Sequence, residues 1–391
     1  MKQGRRFTLK IARSITEIDP VRWNSLIRPT DMPFLEWEWL AALETSGSAE
    51  QETGWHPLHL SLWDNGALLA AAPLYLKNHS DGEFVWDYMW AEAASSLGRP
   101  WYPKLVGTVP ATPAEGYKFL VADNGEEALL NKMLLDAAEA LCRNNNIRGL
   151  HFLFADPRWA KAAGCLEDRG YSAWRHQRYV WENNGFSCFD DYLERFNKNQ
   201  RKNIRKEYRR HEEQNIGLRI VENGGSRYFD AIYDLYTATN DKFMPWDARW
   251  VNEKFFALIG ASYSRRVVFS EAYRDEKTLA LAMMIRKDSR IWGRYWGTYE
   301  DVKDLHFAVC YYAPMDYCIR ERIGYFDPGA GSPHKIRRGF YAAFDTSYHK
   351  FFDPVLETLF KTNIDAVNSY EQENINALNK ELPLKINTRV F

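Results

Sequence analysis

The stretch from Arg290 to Phe340 concentrates side chains that can bind an anion or move a proton. It holds two histidines, His306 and His334, and the second is followed at once by a run of basic residues. A neutral imidazole accepts a proton, whereas lysine and arginine hold phosphates and carboxylates. We therefore expect proton transfer beside a bound anion in this stretch. The candidate anion-binding residues are Lys335, Arg337 and Arg338.

Three predicted elements must position these residues. Ile291 to Tyr299 reads as an aromatic-rich strand, Leu305 to Arg322 has apolar residues at helical spacing, and Tyr325 begins a short strand that Pro328 stops. Strand, helix and strand form a parallel crossover unit, and such sheets bind ligands at the carboxyl ends of their strands.

Further candidates lie on these elements. His306 stands at the predicted helix start, where the helix dipole favours a neutral base, although it could equally serve as a local cap. Tyr295 lies within the strand and could point into a cleft, but an aromatic residue in a strand is more often part of the core. Tyr299 and Tyr311 are further candidates for contact with a co-substrate.

A second candidate site comes from the first half of the chain. Alternation predicts that Glu83, Val85 and Asp87 lie on one face of a strand. Two carboxylates in one cleft raise each other's pKa, so this pair could bind an amine or accept its proton. Tyr102 and Lys104 follow a proline-bounded turn and are substrate-binding candidates. The alternative is a surface strand with ordinary acidic residues.

A basic helix is predicted between Arg195 and Arg210, which include eight basic residues. Helical spacing aligns four of them on one face, and such a stripe can follow a phosphate chain or an RNA backbone. A solvated helix face is the alternative. The aligned residues are Lys198, Lys202, Arg205 and Arg209, and the substrate-binding candidates are Arg201, Lys202 and Arg205.

Composition excludes several classes of protein. The net charge of −1 argues against a general nucleic-acid-binding or membrane-surface protein, so DNA is not an expected partner and any polyanion would have to be bound locally. The phosphate-binding patterns GxxxxGKS and GxGxxG are missing. No metal site is expected, because His56 and His59 would point to opposite faces of a strand. No permanently bound cofactor is expected either. The excess of aromatic residues, at 15% of the 391 residues, favours interior packing over a groove for a long apolar ligand.

The expected location is the cytoplasm. The five cysteines form no CxxC pair, which is typical of reduced thiols. The N-terminus lacks the apolar core of a signal peptide, and the longest apolar run, from Ala67 to Leu76, is too short to cross a bilayer.

The order of predicted elements suggests two copies of one fold. Residues 1–185 read as helices, a hairpin with its turn at Asp64 to Gly66, and then a strand, a helix and a strand. A similar order recurs in residues 186–391. We therefore predict an N-terminal domain of residues 1–185 and a C-terminal domain of residues 186–391. A long amphipathic helix from Pro354 to Leu382 would pack on the second domain.

Several segments resemble a bacterial family of predicted N-acyltransferases. The family is often described as peptidoglycan-biosynthesis-like, and it is related to the Fem-type aminoacyltransferases within the GNAT superfamily. The matching segments are FLEWEWLAALETSGS at Phe34 to Ser48, PLYLKNHSDGEFVWD at Pro73 to Asp87, WYPKL at Trp101 to Leu105, RKNIRKEYRR at Arg201 to Arg210 and HKIRRGF at His334 to Phe340.

The resemblance implies an α/β fold of two tandem GNAT-like repeats, with mixed central sheets flanked by helices. It also implies transfer of an acyl group from a carrier, with acyl-CoA as the expected co-substrate, to a primary amine. That amine could be an amino acid, a cell-wall precursor or a long-chain lipid amine. In the superfamily, backbone donors at a bulged strand hold the donor's carbonyl, and the following helix start holds its pyrophosphate. The matching place lies between Tyr299 and His306.

The chain departs from the family pattern at this place. The usual RxxGxG phosphate loop is absent, and Asp301 to Asp304 stand there instead. Relatives read HFEACYYQ and GAQGEHK, whereas this chain reads HFAVCYYA and GAGSPHK. These changes indicate an altered substrate, a shifted base or weakened catalysis. Two alternative functions are an aminoacyltransferase that uses aminoacyl-tRNA and a catalytically silent binding protein. The changed positions are Ala308, Ala313, Gly331 and Pro333.

Overall fold

The chain forms two compact units. The computed structural model describes residues 7–162, 166–242, 249–331 and 333–385, so Cys165 lies outside the described residues. Unit 1 comprises Met1–His176 and Phe344–Glu371, and unit 2 comprises Gln177–Ala343 and Gln372–Phe391. Each unit is therefore built from two stretches of chain, whereas the sequence-based division used a single boundary after residue 185.

Both units contain strands and helices. The strands are β1 Thr8–Ala12, β2 His56–Pro57, β3 His59–Asp64, β4 Ala67–Ala72, β5 Leu74–Lys77, β6 Lys104–Gly107, β7 Leu120–Val121, β8 Gly149–Phe152, β9 Ser172–Glu182, β10 Gly217–Glu222, β11 Val267–Arg274, β12 Lys277–Lys287, β13 Arg290–Thr298, β14 Tyr325–Asp327 and β15 Tyr341–Phe351. The helices are α1 Pro20–Asn24, α2 Trp37–Thr45, α3 Tyr88–Ser96, α4 Glu127–Asn144, α5 Pro157–Ala162, α6 Phe189–Leu193, α7 Lys198–Arg209, α8 Ser226–Asp241, α9 Glu253–Ser262, α10 Leu305–Phe307, α11 Ala313–Arg320 and α12 Pro354–Lys380.

Two groups of paired strands form the sheets of unit 1. One is antiparallel, in the order β1-β3-β4-β7, and the other has the order β2-β5-β6-β8-β15 with β6 and β8 parallel. The predicted hairpin is confirmed as β3 and β4. Its two-residue turn, Asn65 and Gly66, has positive φ at both positions, as tight hairpin turns require.

The sheet of unit 2 has the order β10-β11-β12-β13-β14-β9, in which β13 and β14 pair in parallel. This pair and the helical segment between its strands confirm the predicted crossover unit. The strand β13 has a bulge at Arg294, because Met283 pairs with Tyr295 but Met284 pairs with Gly293. Its pairing with β14 ends at Trp292, so the last six residues of β13 extend beyond the parallel pair.

The crossover helix carries a π-helical turn. Residues Ala308–Tyr312 form this turn between α10 and α11, and the N–H of Ala313 donates to the carbonyl of Ala308. Pro314 follows directly and has no N–H of its own. A proline inside a regular helix would clash with the preceding turn, and the wider π turn gives its ring room. The apolar pattern of the sequence therefore predicted the helix, but not its widened centre.

Aromatic side chains fill the interior of each unit. In unit 1 the indole of Trp101 lies 4.9 Å from the ring of Phe351, and Phe360 lies 5.2 Å from Phe351. In unit 2 the ring of Tyr295 packs 5.0 Å from Phe256. These clusters agree with the interpretation that the aromatic excess serves packing. Within the part of the chain that the structure describes, no helix is both long and apolar enough to cross a bilayer.

Candidate functional site

Three sequence candidates meet in unit 2, at the end of the crossover. His334 lies in a short 3-10 turn, Pro333–Arg338, that follows β14. Its Nε2 atom is 3.0 Å from the hydroxyl of Tyr311, which projects from the π turn. The ring of His306 lies 5.1 Å from Tyr311 and 5.9 Å from His334, measured between ring centres. The structure therefore joins two histidines and a phenol into one cluster.

Both imidazoles are neutral near pH 7. Burial lowers the pKa of His306 to about 3, and the nearby charges of Lys335 and Arg338 add to this effect. Burial also lowers the pKa of the half-buried His334 to about 4, again assisted by Arg338 and Lys335. Burial raises the pKa of Tyr311, so its hydroxyl keeps its proton. The sequence attributed the neutral state of His306 to the helix dipole, whereas burial is its main cause in the structure.

Lys335 is a buried residue that holds a loop. Its ammonium group donates hydrogen bonds of 2.7 Å to the carbonyl of Gly329 and 3.0 Å to that of Ala330. Its side chain is almost fully enclosed, and this burial lowers its pKa to about 8. Two of its three N–H groups are thus used by the protein itself. Gly331 makes room for this contact, because a Cβ atom there would lie 2.7 Å from the Lys335 Nζ atom.

Arg338 is also engaged inside the protein. Its Nη1 donates to the carbonyl of His334 at 2.8 Å, and its Nη2 lies 3.0 Å from a carboxylate oxygen of Glu207. The guanidinium carbon sits 3.2 Å from the centre of the Phe307 ring. Arg338 therefore fixes the backbone that carries His334. Of the three predicted anion-binding residues, only Arg337 is exposed to solvent.

Asp327 was not predicted as a site residue. It ends β14 and is buried, and this burial raises its pKa. One carboxylate oxygen accepts a 2.8 Å hydrogen bond from the N–H of Gly329. Its position at the carboxyl end of a parallel strand was the available signal, since ligands bind at such ends. The structure places Asp327 in the same loop that Lys335 holds.

Two tyrosine candidates lie away from this cluster. Tyr295 packs in the core against Tyr236, Phe255 and Phe256, and its neighbour Trp296, on the opposite strand face, is the residue that contacts His306. Tyr299 lies just past the end of β13 and is half exposed. Tyr295 thus lies in the core, which was one of the two positions that the sequence left open.

The acidic pair of unit 1 does come together, around Lys104. The Nζ atom of Lys104 lies 2.7 Å from Glu83 Oε2 and 2.5 Å from Asp87 Oδ2. The other oxygen of Asp87 accepts a 2.7 Å hydrogen bond from the hydroxyl of Tyr102. The predicted strand is wrong: residues 83–87 form a turn before α3, in which Phe84 has a φ of 61°. A turn, and not the alternating faces of a strand, brings the two carboxylates together.

These buried charges shift one another's pKa. Burial raises the pKa of Glu83 to about 7, which Lys104 only partly opposes. For Asp87, the effect of burial is outweighed by Lys104 and by hydrogen bonds from Tyr102 and Trp101, so its pKa is lowered. Lys77, which was not predicted, is fully buried beside them with its ammonium 3.6 Å from the centre of the Trp55 ring, and burial lowers its pKa to about 8. Two acids and two amines thus form one buried cluster.

The predicted basic helix is confirmed as α7, but its charges are not equivalent. Arg201 forms an ion pair with Glu194, and Arg205 lies 2.9 Å from Asp190. Lys202 is exposed. The candidates Arg201 and Arg205 are thus held by acidic partners, whereas Lys202 faces solvent.

Comparison with known proteins gives a consistent result. The family model FemAB-like, described as peptidoglycan biosynthesis/recognition, matches residues 14–386. The solved structure of FemX superposes with a TM-score of 0.53 at 11% identity, over 88% of this chain and 98% of that one. A DUF2156 domain from Agrobacterium fabrum gives a TM-score of 0.52 at 10% identity, over 92% and 99%. The predicted α/β fold related to Fem proteins is confirmed. No curated protein sequence matches the chain.

Proposed function

Because the chain belongs to the FemAB-like family, we propose that it is a transferase that moves an acyl group from a carrier to a primary amine. The observation that carries this proposal is the hydrogen-bonded pair of Tyr311 and His334, the latter in the turn that follows β14. Acyl transfer to an amine needs a group that takes a proton and a group that gives one. A neutral imidazole in contact with a protonated phenol supplies both.

The proposed reaction is direct attack without a covalent enzyme intermediate. The amine nitrogen attacks the thioester carbonyl carbon, so that a C–N bond forms and the C–S bond breaks. His334 takes the proton that the amine loses, Tyr311 gives its hydroxyl proton to the departing sulfur, and the Nε2 proton of His334 then restores the phenol. One proton is thereby moved from nitrogen to sulfur, and the residues return to their starting charges.

Acyl-CoA is the proposed donor, and the end of β13 is its proposed position. Beyond Trp292 this strand is no longer paired with β14, and the bulge at Arg294 changes the direction of its backbone just after that point. Backbone donors at such a bulge can steady the oxygen on which negative charge builds. Lys335 and Arg338 are assigned a positioning role, because their hydrogen bonds go to protein carbonyls. The reaction is placed in the cytoplasm, where acyl-CoA is available.

The test is a thiol-release assay with the purified protein, acyl-CoAs of several chain lengths and a panel of primary amines. His334→Ala and Tyr311→Phe should each lower kcat by about 100-fold or more, since positioned acid–base groups contribute about 10²–10⁴. His56→Ala and Tyr370→Phe are matched controls in unit 1, and they should leave kcat unchanged. Thermal melting of all four variants verifies the fold.

Each outcome of this assay decides a separate point. Full activity in both site variants would refute the assignment of Tyr311 and His334 while leaving a transferase. Absence of CoA release with every acyl-CoA, together with absence of acyl-CoA binding in calorimetry, would refute the proposed donor and reaction.

A further inference from the structure

The basic helix α7 carries two classes of cation. Arg201 and Arg205, and Arg210 directly after the helix, each have an acidic partner, and the last lies 2.8 Å from Asp304. The other four basic residues are exposed and form no ion pair within the described part of the chain. These four are Lys198, Lys202, Lys206 and Arg209, and we call them the α7 stripe.

The α7 stripe is a compact row of positive charge. Its members follow one another at intervals of four, four and three residues, which places them within one quarter of the helix circumference. From first to last they span about 16 Å of helix axis. Glu207 does not interrupt the row, since its carboxylate turns inward to Arg338. The exposed residues Glu212 and Glu213 end it.

The residue types of the α7 stripe indicate which kind of polyanion it can bind. Three of its four members are lysines, whose ammonium groups act as point charges without planar pairing. The helix offers no exposed ring for stacking on bases, because Tyr208 packs against Phe189 and Tyr312. Two of the three arginines of α7, Arg201 and Arg205, are already paired with acidic residues, which leaves Arg209 as the one arginine of the stripe. The net charge of the whole chain is −1, so binding to a polyanion depends on local groups such as this stripe. A short row of lysines therefore fits best on an extended anionic surface whose charges need no particular arrangement.

We propose that the α7 stripe binds the surface of a membrane that contains anionic lipids. Rows of four to eight basic residues on an amphipathic helix attract such surfaces. The buried side of α7, with Ile204, is packed inside unit 2, so no apolar group of this helix inserts into the bilayer. The attachment is therefore electrostatic and reversible, and salt weakens it over a Debye length of about 8 Å at physiological ionic strength.

The test is sedimentation of the full chain with lipid vesicles. One set contains phosphatidylcholine alone, and the other contains about one third phosphatidylglycerol. Each cation near such a surface contributes about fivefold to the partition coefficient, so replacing the three lysines by glutamine should lower it about 100-fold. The matched control replaces three exposed lysines elsewhere in unit 2 by glutamine and should change it less than about twofold. The test variant is Lys198→Gln, Lys202→Gln and Lys206→Gln, and the control is Lys254→Gln, Lys277→Gln and Lys303→Gln.

The proposal predicts binding to the anionic vesicles, none to the neutral ones, and loss at about 0.5 M salt. Equal binding by the test and control variants would overturn it. Tighter binding to RNA than to anionic vesicles at the same salt concentration would also overturn it, and would identify a nucleic-acid partner instead. The assay contains neither donor nor amine, so its result is independent of the proposed reaction.

Discussion

Replacing Lys104 by methionine should destabilise unit 1 strongly. Lys104 is buried and lies between the carboxylates of Glu83 and Asp87, at 2.7 and 2.5 Å. Methionine fills much of the same space but removes the cation that contacts both enclosed carboxylates. Removing one partner of a buried ion pair costs about 3–5 kcal/mol, because the remaining charge cannot reach water. In a unit of about 200 residues, that loss lowers Tm by about 6–20 °C.

The assay is differential scanning calorimetry with two comparison variants. Lys132→Met is the matched control, since Lys132 also lies 2.7 Å from a carboxylate but is exposed, and it should cost less than about 1 kcal/mol. Glu83→Gln and Asp87→Asn, added to Lys104→Met, remove the stranded charges and should recover most of the lost Tm.

Lowering the pH should raise the Tm of Lys104→Met relative to wild type, as the added substitutions Glu83→Gln and Asp87→Asn do. The pKa of Glu83 in the folded protein, about 7, lies above its unfolded value, so its protonated form stabilises the fold, and that stability is lost as pH rises toward 7. Without Lys104 this pKa rises further. The gap in Tm between wild type and Lys104→Met should thus narrow from pH 8 to pH 6. An equal loss of Tm in Lys104→Met and Lys132→Met, or a gap that widens on acidification, would refute this reasoning.

Two further predictions concern unit 2. Gly297→Ala should lower the free energy of unfolding by about 1–3 kcal/mol, because the new Cβ would lie 2.1 Å from the carbonyl oxygen of Leu235 in α8. The control Gly324→Ala meets no atom closer than 3.8 Å and should leave that free energy nearly unchanged. Chemical denaturation measures both values. The pKa of His334 is about 4, so this residue stays neutral from pH 8 down to pH 5.5. With an amine substrate that is also neutral above pH 5, kcat/KM should therefore not fall over this range. A decline in kcat/KM with an apparent pKa near 6.5 would contradict a neutral His334.

Regular elements could be predicted because their signals are local. The apolar spacing that predicted a helix over 305–322 and the aromatic strand over 291–299 correspond to α10 to α11 and to β13. The hairpin turn at Asn65 and Gly66 was equally clear. In each case neighbouring residues along the chain determine the structure, whatever packs around them.

The placement of individual side chains depended on distant partners. On α7, spacing alone favoured Arg205 as a stripe member, but Asp190 pairs with it and leaves Lys206 exposed instead. Lys77 and Asp327 each end a hydrophobic strand, and the position of Asp327 at a strand end was its only sequence signal. The contacts of both residues are made by loops that fold over them, which the strand pattern does not predict. The sequence could propose His334 and Tyr311 separately, but their contact joins residues 23 positions apart.

The division of the chain between the two units bears on how the protein is made. Strand β8 in unit 1 pairs with residues 348–351 of β15, and the core around Trp101 includes Leu356 and Phe360 of α12. All of these later residues leave the ribosome after Ala343, when most of unit 2 has already been synthesised. At about 5–20 residues per second, unit 1 waits roughly 10–40 s for its last segment. A nascent chain that stops near residue 185 therefore exposes an unfinished sheet edge, which makes the unfinished unit a target for chaperones and a poor choice for expression on its own.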